Sequence, residues 1–225
     1  MLKEGKAAGV DKFLIHSVAT KPEQVKSIND FIYGEMQTHD EFIGFMALHP
    51  DMDSQDIENE VNRCLALGFK GVKLHPDCQK FFIDEDRAEK IYKIVEGKLP
   101  ILMHMGDPRY DFSGIARLVS VLNKHKDLQV IAAHMGGYSR WNEIGIYHNA
   151  KYNNYHFDTS SSLAFLSKEQ VNLIISEFGA EKFFFGTDYP MWDSKDELDR
   201  IDALGLSQRD KELILGENLK EFLKL

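Results

Sequence analysis

Six residues with ligating or acid–base side chains recur along this chain at nearly even intervals. His49, His75, His104, His134, Asp158 and Asp188 are separated by 26, 29, 30, 24 and 30 residues. Each falls at or just after the end of a short apolar run. An interval of that size accommodates one strand, one helix and their connections. The segment PILMHMG over 100–106 brings His104 to a strand exit, and IAAHMGG over 131–137 repeats the pattern with His134. The segment FFFGTDYP over 183–190 then supplies the carboxylate of Asp188. A strand-end His is commonly structural, and an Asp two residues before a Pro suits a turn. Three such placements at unit spacing are far less probable than one. Two imidazoles and a carboxylate around one rim match the donor set of Zn²⁺, and are acceptable to Mn²⁺ or Fe²⁺.

The elements that must position these groups alternate in type. Strand-like runs cover 12–18, 42–48, 71–74, 101–103, 129–133, 155–158 and 182–186. They are short and apolar, as strands covered on both faces require. Helical spacing predicts helices over 22–35, 53–67, 84–96, 111–125, 168–178, 195–204 and 208–223, with a weaker one near 141–147. Alternation of this kind implies parallel pairing and right-handed crossovers. No Gly-rich turn follows the first run, as a dinucleotide-binding sheet would need. Polar residues gathered at strand C-termini instead describe the active face of a (β/α)8 barrel. The expected fold is therefore α/β and TIM-barrel-like, lacking its first strand. Seven strands are visible, and residues 2–9 read as the end of a helix stopped at Gly9. No low-complexity linker interrupts the chain, so 1–225 is expected to form one barrel domain, incomplete at its N-terminus.

Composition narrows the function. The chain has 27 Lys and Arg against 36 Asp and Glu, a net charge of −9, which argues against a nucleic-acid or anionic-membrane surface. No apolar run approaches the roughly 20 residues of a membrane span. Cys64 and Cys78 are too few for a disulfide framework, and no signal-peptide core follows Met1. A cytoplasmic protein acting on a small molecule is the expectation.

The segments GVKLHP, PILMHMGD, IAAHMGG, FFFGTDYP and ILGENLKEFL together resemble the amidohydrolase superfamily. The resemblance points to its amidohydrolase-2 group, which includes aminocarboxymuconate-semialdehyde decarboxylase-like enzymes. It extends over nearly the whole chain and implies a TIM barrel with a divalent metal, zinc foremost, at the C-terminal rim. By motif, His104 matches a metal ligand and Asp188 a ligand or general base. His134 matches a catalytic imidazole. Lys73 and His75 lie two apart, so both face the same way on their strand. They would orient a substrate carboxylate. Lys73 could otherwise be carboxylated to bridge two metals, or simply pair with Asp158.

The implied chemistry is hydrolysis by a water whose pKa the metal lowers from about 15.7 to about 7. Asp188 would move the proton, and His134 would stabilise the developing charge. The same rim serves non-oxidative decarboxylation in related enzymes.

One element of the family pattern is missing: no His-x-His pair occurs anywhere in the sequence. The expectation is a start placed too far downstream, a fragment, or a barrel completed by homo-oligomerisation. A catalytically inactive barrel is the alternative. Among other histidines, His16 is expected too deep to ligate, and His39, His125 and His148 are expected to be solvated. His49 approaches the rim without a ligand motif. The serines over 160–162 read as a cap for the next helix. Loops 77–83, 107–113, 137–154 and 189–194 would set specificity, with Phe81, Phe82, Tyr110, Trp141 and Trp192 as candidate lining.

Overall fold

The computed structural model describes residues 1–225. Helix α1 (Leu2–Ala7) precedes strand β1 (Phe13–Ile15). There follow α2 (Val25–Thr38), β2 (Phe42–Ala47), α3 (Ser54–Ala66), β3 (Gly71–Leu74), the single turn α4 (Pro76–Gln79) and α5 (Asp86–Val95). The chain continues through β4 (Ile101–Met103), α6 (Ile115–Lys124), β5 (Val130–Ala132), β6 (Tyr155–Asp158), α7 (Lys168–Phe178) and β7 (Phe183–Phe184). It closes with α8 (Ser194–Ala203), α9 (Gln208–Glu212) and α10 (Asn218–Leu223).

All seven strands are parallel, and they pair in chain order from β1 to β7. The sheet curls as a barrel does, but β1 and β7 remain its two outer strands. The seven-stranded, incomplete barrel expected from the sequence is therefore the fold. No helix is long and apolar enough to cross a membrane.

Side-chain parity divides the sheet into two faces. Val72 and Leu74, Ile101 and Met103, Val130 and Ala132, and Tyr155 and Phe157 pack outward into the main core beneath the helices. Leu102, Ile131, Ala133 and Phe184 face inward with Ile43 and Phe45. Gly71 lies on the inner face of β3, where a Cβ would sit 2.4 Å from the Phe45 ring. That space belongs to Phe45, and only glycine leaves it free.

Helix α10 lays Leu219, Phe222 and Leu223 against this inner set. Asn218 anchors it, donating to the carbonyls of Ala180 (2.8 Å) and Phe183 (2.9 Å). The single helix expected over 208–223 is in fact interrupted by a π-turn, Leu213–Glu217, that contains Gly216. The wider turn frees the Ile214 carbonyl, which accepts from Phe185 N at 2.8 Å. The interruption thus satisfies a backbone donor just beyond β7. The segment near 141–147 is a 3-10 helix, Trp141–Asn149, and α4 is a turn that periodicity did not anticipate. Across the open side, Tyr189 Oη accepts from the Met1 ammonium at 3.1 Å and donates to Glu4, so α1 meets the loop ahead of α8.

His156 points into the inner face, stacked on Phe184 at 5.1 Å and tilted against Phe222 at 4.7 Å. Burial, aided by the Lys182 charge, lowers its pKa to about 4. Between about pH 4 and the ordinary value near 6.5, the unfolded chain binds a proton that the folded one excludes. Stability should therefore rise with pH through that window and level off above it. In urea titrations at pH 5 and 7, His156→Phe should reduce the difference in unfolding free energy. An unchanged difference would contradict this placement of His156.

Candidate metal centre

Register builds the site. Leu74 of β3 pairs with Met103 of β4, and Met103 pairs with Ala132 of β5. The next residue of β3 and β4 is in each case a histidine. The rings of His75 and His104 stack with centroids 3.8 Å apart and planes within 11°. His134 follows β5 after one further residue, and its ring meets His104 edge-on, with centroids 4.7 Å apart.

His134 and Met135 have positive φ, 61° and 49°. This conformation is costly for residues with a Cβ, so other bonds must enforce it. Asp158 Oδ1 accepts from His134 N (3.0 Å), and the Asp158 carbonyl accepts from Met135 N (2.7 Å). Trp141 Nε1 donates to the His134 carbonyl at 2.8 Å. Gly106 keeps the β4 loop against the β5 loop: at φ 89°, a Cβ there would lie 2.7 Å from the Gly137 backbone.

A chain of hydrogen bonds fixes the tautomers. His134 Nδ1 lies 3.0 Å from the Ser160 carbonyl, which can only accept. Nδ1 therefore carries the proton and Nε2 is an acceptor. His134 Nε2 lies 2.9 Å from His104 Nδ1, so that nitrogen is the donor. His104 Nε2 is left with a bare lone pair. It faces Asp77 Oδ2 at 3.5 Å and has no hydrogen-bond partner.

Asp77 is placed by the β3–α4 turn. Gln79 accepts from His75 N (2.9 Å) and donates to the carbonyls of Ala19 (2.9 Å) and Leu48 (2.7 Å). Ser113 Oγ donates to Asp77 Oδ2 at 3.0 Å, while Asp77 Oδ1 is buried without a partner. His75, Asp77 and His104 each offer a donor atom, all within 4.8 Å of one another. Two buried atoms without partners, His104 Nε2 and Asp77 Oδ1, are of the chemical kind that a divalent ion satisfies, though the parallel stacking of His75 on His104 keeps those two rings from converging on one point.

Electrostatics favour the ligating forms. Burial, then the neighbouring His75 and His134, hold the His104 pKa far below that of a free imidazole. Burial and the charge of Lys73 bring His75 to about 4. Both rings are thus neutral at neutral pH, the form that binds metal. Lys73 is buried on the inner face of β3. Burial lowers its pKa, opposed by the carboxylates of Asp158 and Asp188.

Asp188 stands elsewhere on the rim. It is exposed, at φ 56°, and its Oδ2 accepts from Ser161 Oγ at 2.7 Å. Its charge reaches Lys73 and His75, but it is not among the three clustered donors.

Other expectations are revised. His16, expected too deep, is solvent-accessible just beyond the end of β1. His125 is not solvated but buried, with its ring nitrogens 3.0 Å from Glu96 and 3.1 Å from Glu89. His148, by contrast, is exposed as expected and pairs with Glu177 at 2.7 Å. Ser160 and Ser161 hold His134 and Asp188, whereas the α7 cap is Ser167. Of the candidate lining, Phe81 is fully buried. Tyr138 had no place in that list, yet its ring stands 5.7 Å from His134 and 6.0 Å from Phe165, which meets Trp192 at 5.8 Å. An open recess of about 560 Å³ lies between the β4 and β5 loops, lined by none of the site histidines, and its charged residues already pair: Arg109 with Asp107, and Arg140 with Glu143 and Asp111.

Residues 8–225 match the family model for amidohydrolases, and the chain belongs to that family. No curated protein matches it. Among solved structures, 5-carboxyvanillate decarboxylase from Sphingomonas paucimobilis superposes with a TM-score of 0.80 at 16% identity, covering 100% of this chain and 82% of that one. A dihydroxybenzoic acid decarboxylase from Polaromonas, with bound manganese and the inhibitor 2-nitroresorcinol, gives 0.79 at 19% identity, covering 100% and 85%. An uncharacterised TIM-barrel protein from Bordetella bronchiseptica gives 0.84 at 20% identity, covering 100% and 81%.

Asp158 emerges as the clamp of the rim, since Oδ1 also accepts from Ser160 N (3.0 Å) and from the Ser160 hydroxyl. Asp158→Asn weakens several bonds to a charged acceptor and should cost about 2–3 kcal/mol. Chemical denaturation measures that loss, and a change below about 0.5 kcal/mol would show that His134 is held by other contacts.

Proposed function

We propose that this member of the amidohydrolase family is a metal-dependent, non-oxidative decarboxylase of a small aromatic carboxylic acid. The observation that carries the reading is the buried amine of Lys73 and the rim imidazoles at the foot of an aromatic wall. Lys73 offers the only inward-facing ammonium of β3, and Tyr138, Phe165 and Trp192 rise beside the His104–His134 pair. A carboxylate on an aromatic ring satisfies both features: charge for Lys73, and a flat apolar face for the wall. The two decarboxylases of like fold support it, both named for aromatic acids, one of them with manganese bound.

A divalent ion held by His104 and its neighbours would supply a Lewis acid toward substrate oxygens. The residues of the chain do the rest. Lys73 draws the carboxylate out of water into the inner face. Tyr138, Phe165 and Trp192 restrict the ring to one plane. Asp188, in its protonated form, delivers a proton to the ring carbon that bears the carboxylate. The electron pair of the breaking C–C bond returns to the ring, CO₂ departs, and a C–H bond remains. Asp188 ends as a carboxylate on an exposed loop, where solvent reprotonates it. Ser161 occupies its Oδ2, which leaves Oδ1 for the proton transfer. His134, with both ring nitrogens engaged, acts here by orienting His104.

Hydrolysis draws on the same residues, with Asp188 accepting a proton from water. The experiment that separates the two is direct. The protein, supplied with Mn²⁺ or Zn²⁺, is incubated with hydroxy- and methoxybenzoates and, separately, with aryl amides and lactones. Release of CO₂ from the benzoates is expected, and Asp188→Asn should reduce it at least about 100-fold with the fold retained by circular dichroism. Turnover of amides or lactones with no CO₂ from any acid would replace decarboxylation by hydrolysis.

A further inference from the structure

The chain has two tryptophans, and both direct their indole N–H at the rim. Trp141 donates to the His134 carbonyl at 2.8 Å, and Trp192 donates to Ser161 Oγ at 3.1 Å. The Ser161 hydroxyl in turn donates to Asp188 Oδ2 at 2.7 Å. We propose that Trp192 and Ser161 are positioning residues for Asp188, the indole deciding through the hydroxyl which carboxylate oxygen is left for the reaction. This role deepens the reading above and rests on it only for the use made of Asp188. It holds whether the reaction is decarboxylation or hydrolysis.

The direction of the relay follows from its ends. An indole nitrogen can only donate, so Ser161 Oγ is the acceptor there. The single hydroxyl proton then has Asp188 as its remaining partner, and Oδ2 accepts it whether the carboxyl is ionised or protonated. Oδ2 is thereby withdrawn, and Oδ1 is left for either use that the family resemblance implies, ligand or acid. Without the indole, the Ser161 hydroxyl could accept from a protonated Asp188 as readily as donate to it. The two carboxyl oxygens would then be interchangeable.

The surroundings make the relay a bridge between loops. Asp188 and Trp192 lie four residues apart on the segment between β7 and α8, and Ser161 lies just after β6. Strand β7 has no strand beyond it, so within the sheet its loop can be steadied only from the β6 side. Ser161 and Asp188 both have positive φ, 47° and 56°, a conformation that is unfavourable for residues with a Cβ. Their hydrogen bond thus joins two strained positions that neither loop would hold alone. The indole is braced as well. The Arg200 guanidinium lies 5.2 Å from its ring centroid and pairs with the fully buried Glu197 of α8, while Phe165 meets the ring edge-on at 5.8 Å. A substrate ring seated on the wall of Tyr138, Phe165 and Trp192 therefore rests against the residue that aims the carboxylate.

The test begins with NMR of the Zn²⁺-supplied protein, its tryptophans labelled with ¹⁵N. The two indole N–H signals are told apart by Trp192→Phe, which deletes one. Ser161→Ala should shift the Trp192 signal and speed its exchange with solvent at least about fivefold, leaving Trp141 in place. Asp188→Ala should shift the same signal, because it removes what the Ser161 hydroxyl donates to. It alters an exposed loop, so it decides the matter if Ser161→Ala fails to fold. A Trp192 signal unmoved by Asp188→Ala would overturn the relay. Kinetics then read the consequence, on a benzoate that the wild type decarboxylates. Ser161→Ala and Trp192→Phe should each lower kcat at least about fivefold, with KM of Ser161→Ala within about threefold of wild type. The double variant should be no slower than the slower single variant, within about twofold, as parts of one relay require. Effects that multiply, or a change in KM alone, would leave Trp192 as a wall only and refute its positioning role. Should the wild type release CO₂ from no acid, the decarboxylase reading falls, while the indole signals still decide the relay.

Discussion

The site depends on the register between β3, β4 and β5. In a parallel ladder, partners leave the sheet together, so the residues just past paired positions share one rim. Leu74 against Met103, and Met103 against Ala132, bring His75, His104 and His134 within ring contact although they lie 29 and 30 residues apart in sequence. A slip of one residue in β4 would turn His104 outward into the helical layer and Met103 inward. The outer core forbids that slip, because Ile101 and Met103 are buried there beside Val72 and Leu74. The hydrophobic pattern that folds the sheet is therefore the same pattern that aims the imidazoles.

Burial then sets their chemistry. Removing three imidazoles and an ammonium from water would be unfavourable if they all carried charge. The structure resolves this by keeping His75 and His104 neutral while the carboxylates of Asp158 and Asp188 oppose the loss of charge on Lys73. Asp158 has a second task, holding the backbone of His134. One carboxylate thus links the position of the imidazole relay to the charge balance of the floor. The relay ends on the Ser160 carbonyl, so the protonation of His104 is decided two residues away from it, by a group that cannot donate.

Much of this was legible in the sequence. Alternating apolar runs and helical spacings located all seven strands, and the polar residue after each run located the rim. His104, His134 and His75 are found there, with Lys73 one step deeper on the inner face of β3. What could not be read were features set by partners distant in sequence. Asp77 looked like the first residue of a loop, because its burial depends on Ser113, 36 residues on. The serines at 160 and 161 looked like a helix cap, because nothing local shows that their partners are His134 and Asp188. Helix 208–223 looked continuous because its heptad-like spacing survives the π-turn, whose cause is the unpaired donor beyond β7. His125 sits at the end of a helix, where solvent is the usual neighbour, and only the packing of α5 beside α6 brings Glu89 and Glu96 to it.

The distribution of backbone strain carries the same message as the donor geometry. Of the eight non-glycine residues with positive φ, four, His134, Met135, Ser161 and Asp188, lie on the rim. Each such residue costs about 1–2 kcal/mol relative to ordinary backbone. They persist because specific bonds over-determine them: Asp158 and Trp141 for the β5 exit, and the Ser161–Asp188–Trp192 contacts for the last loop. The outer core supplies the stability that makes such a rim tolerable. A protein that needed only to fold could relax these positions to glycine. Retaining side chains there fixes where His134 and Asp188 point, and that is the requirement of a site that must hold its groups ready before the substrate arrives.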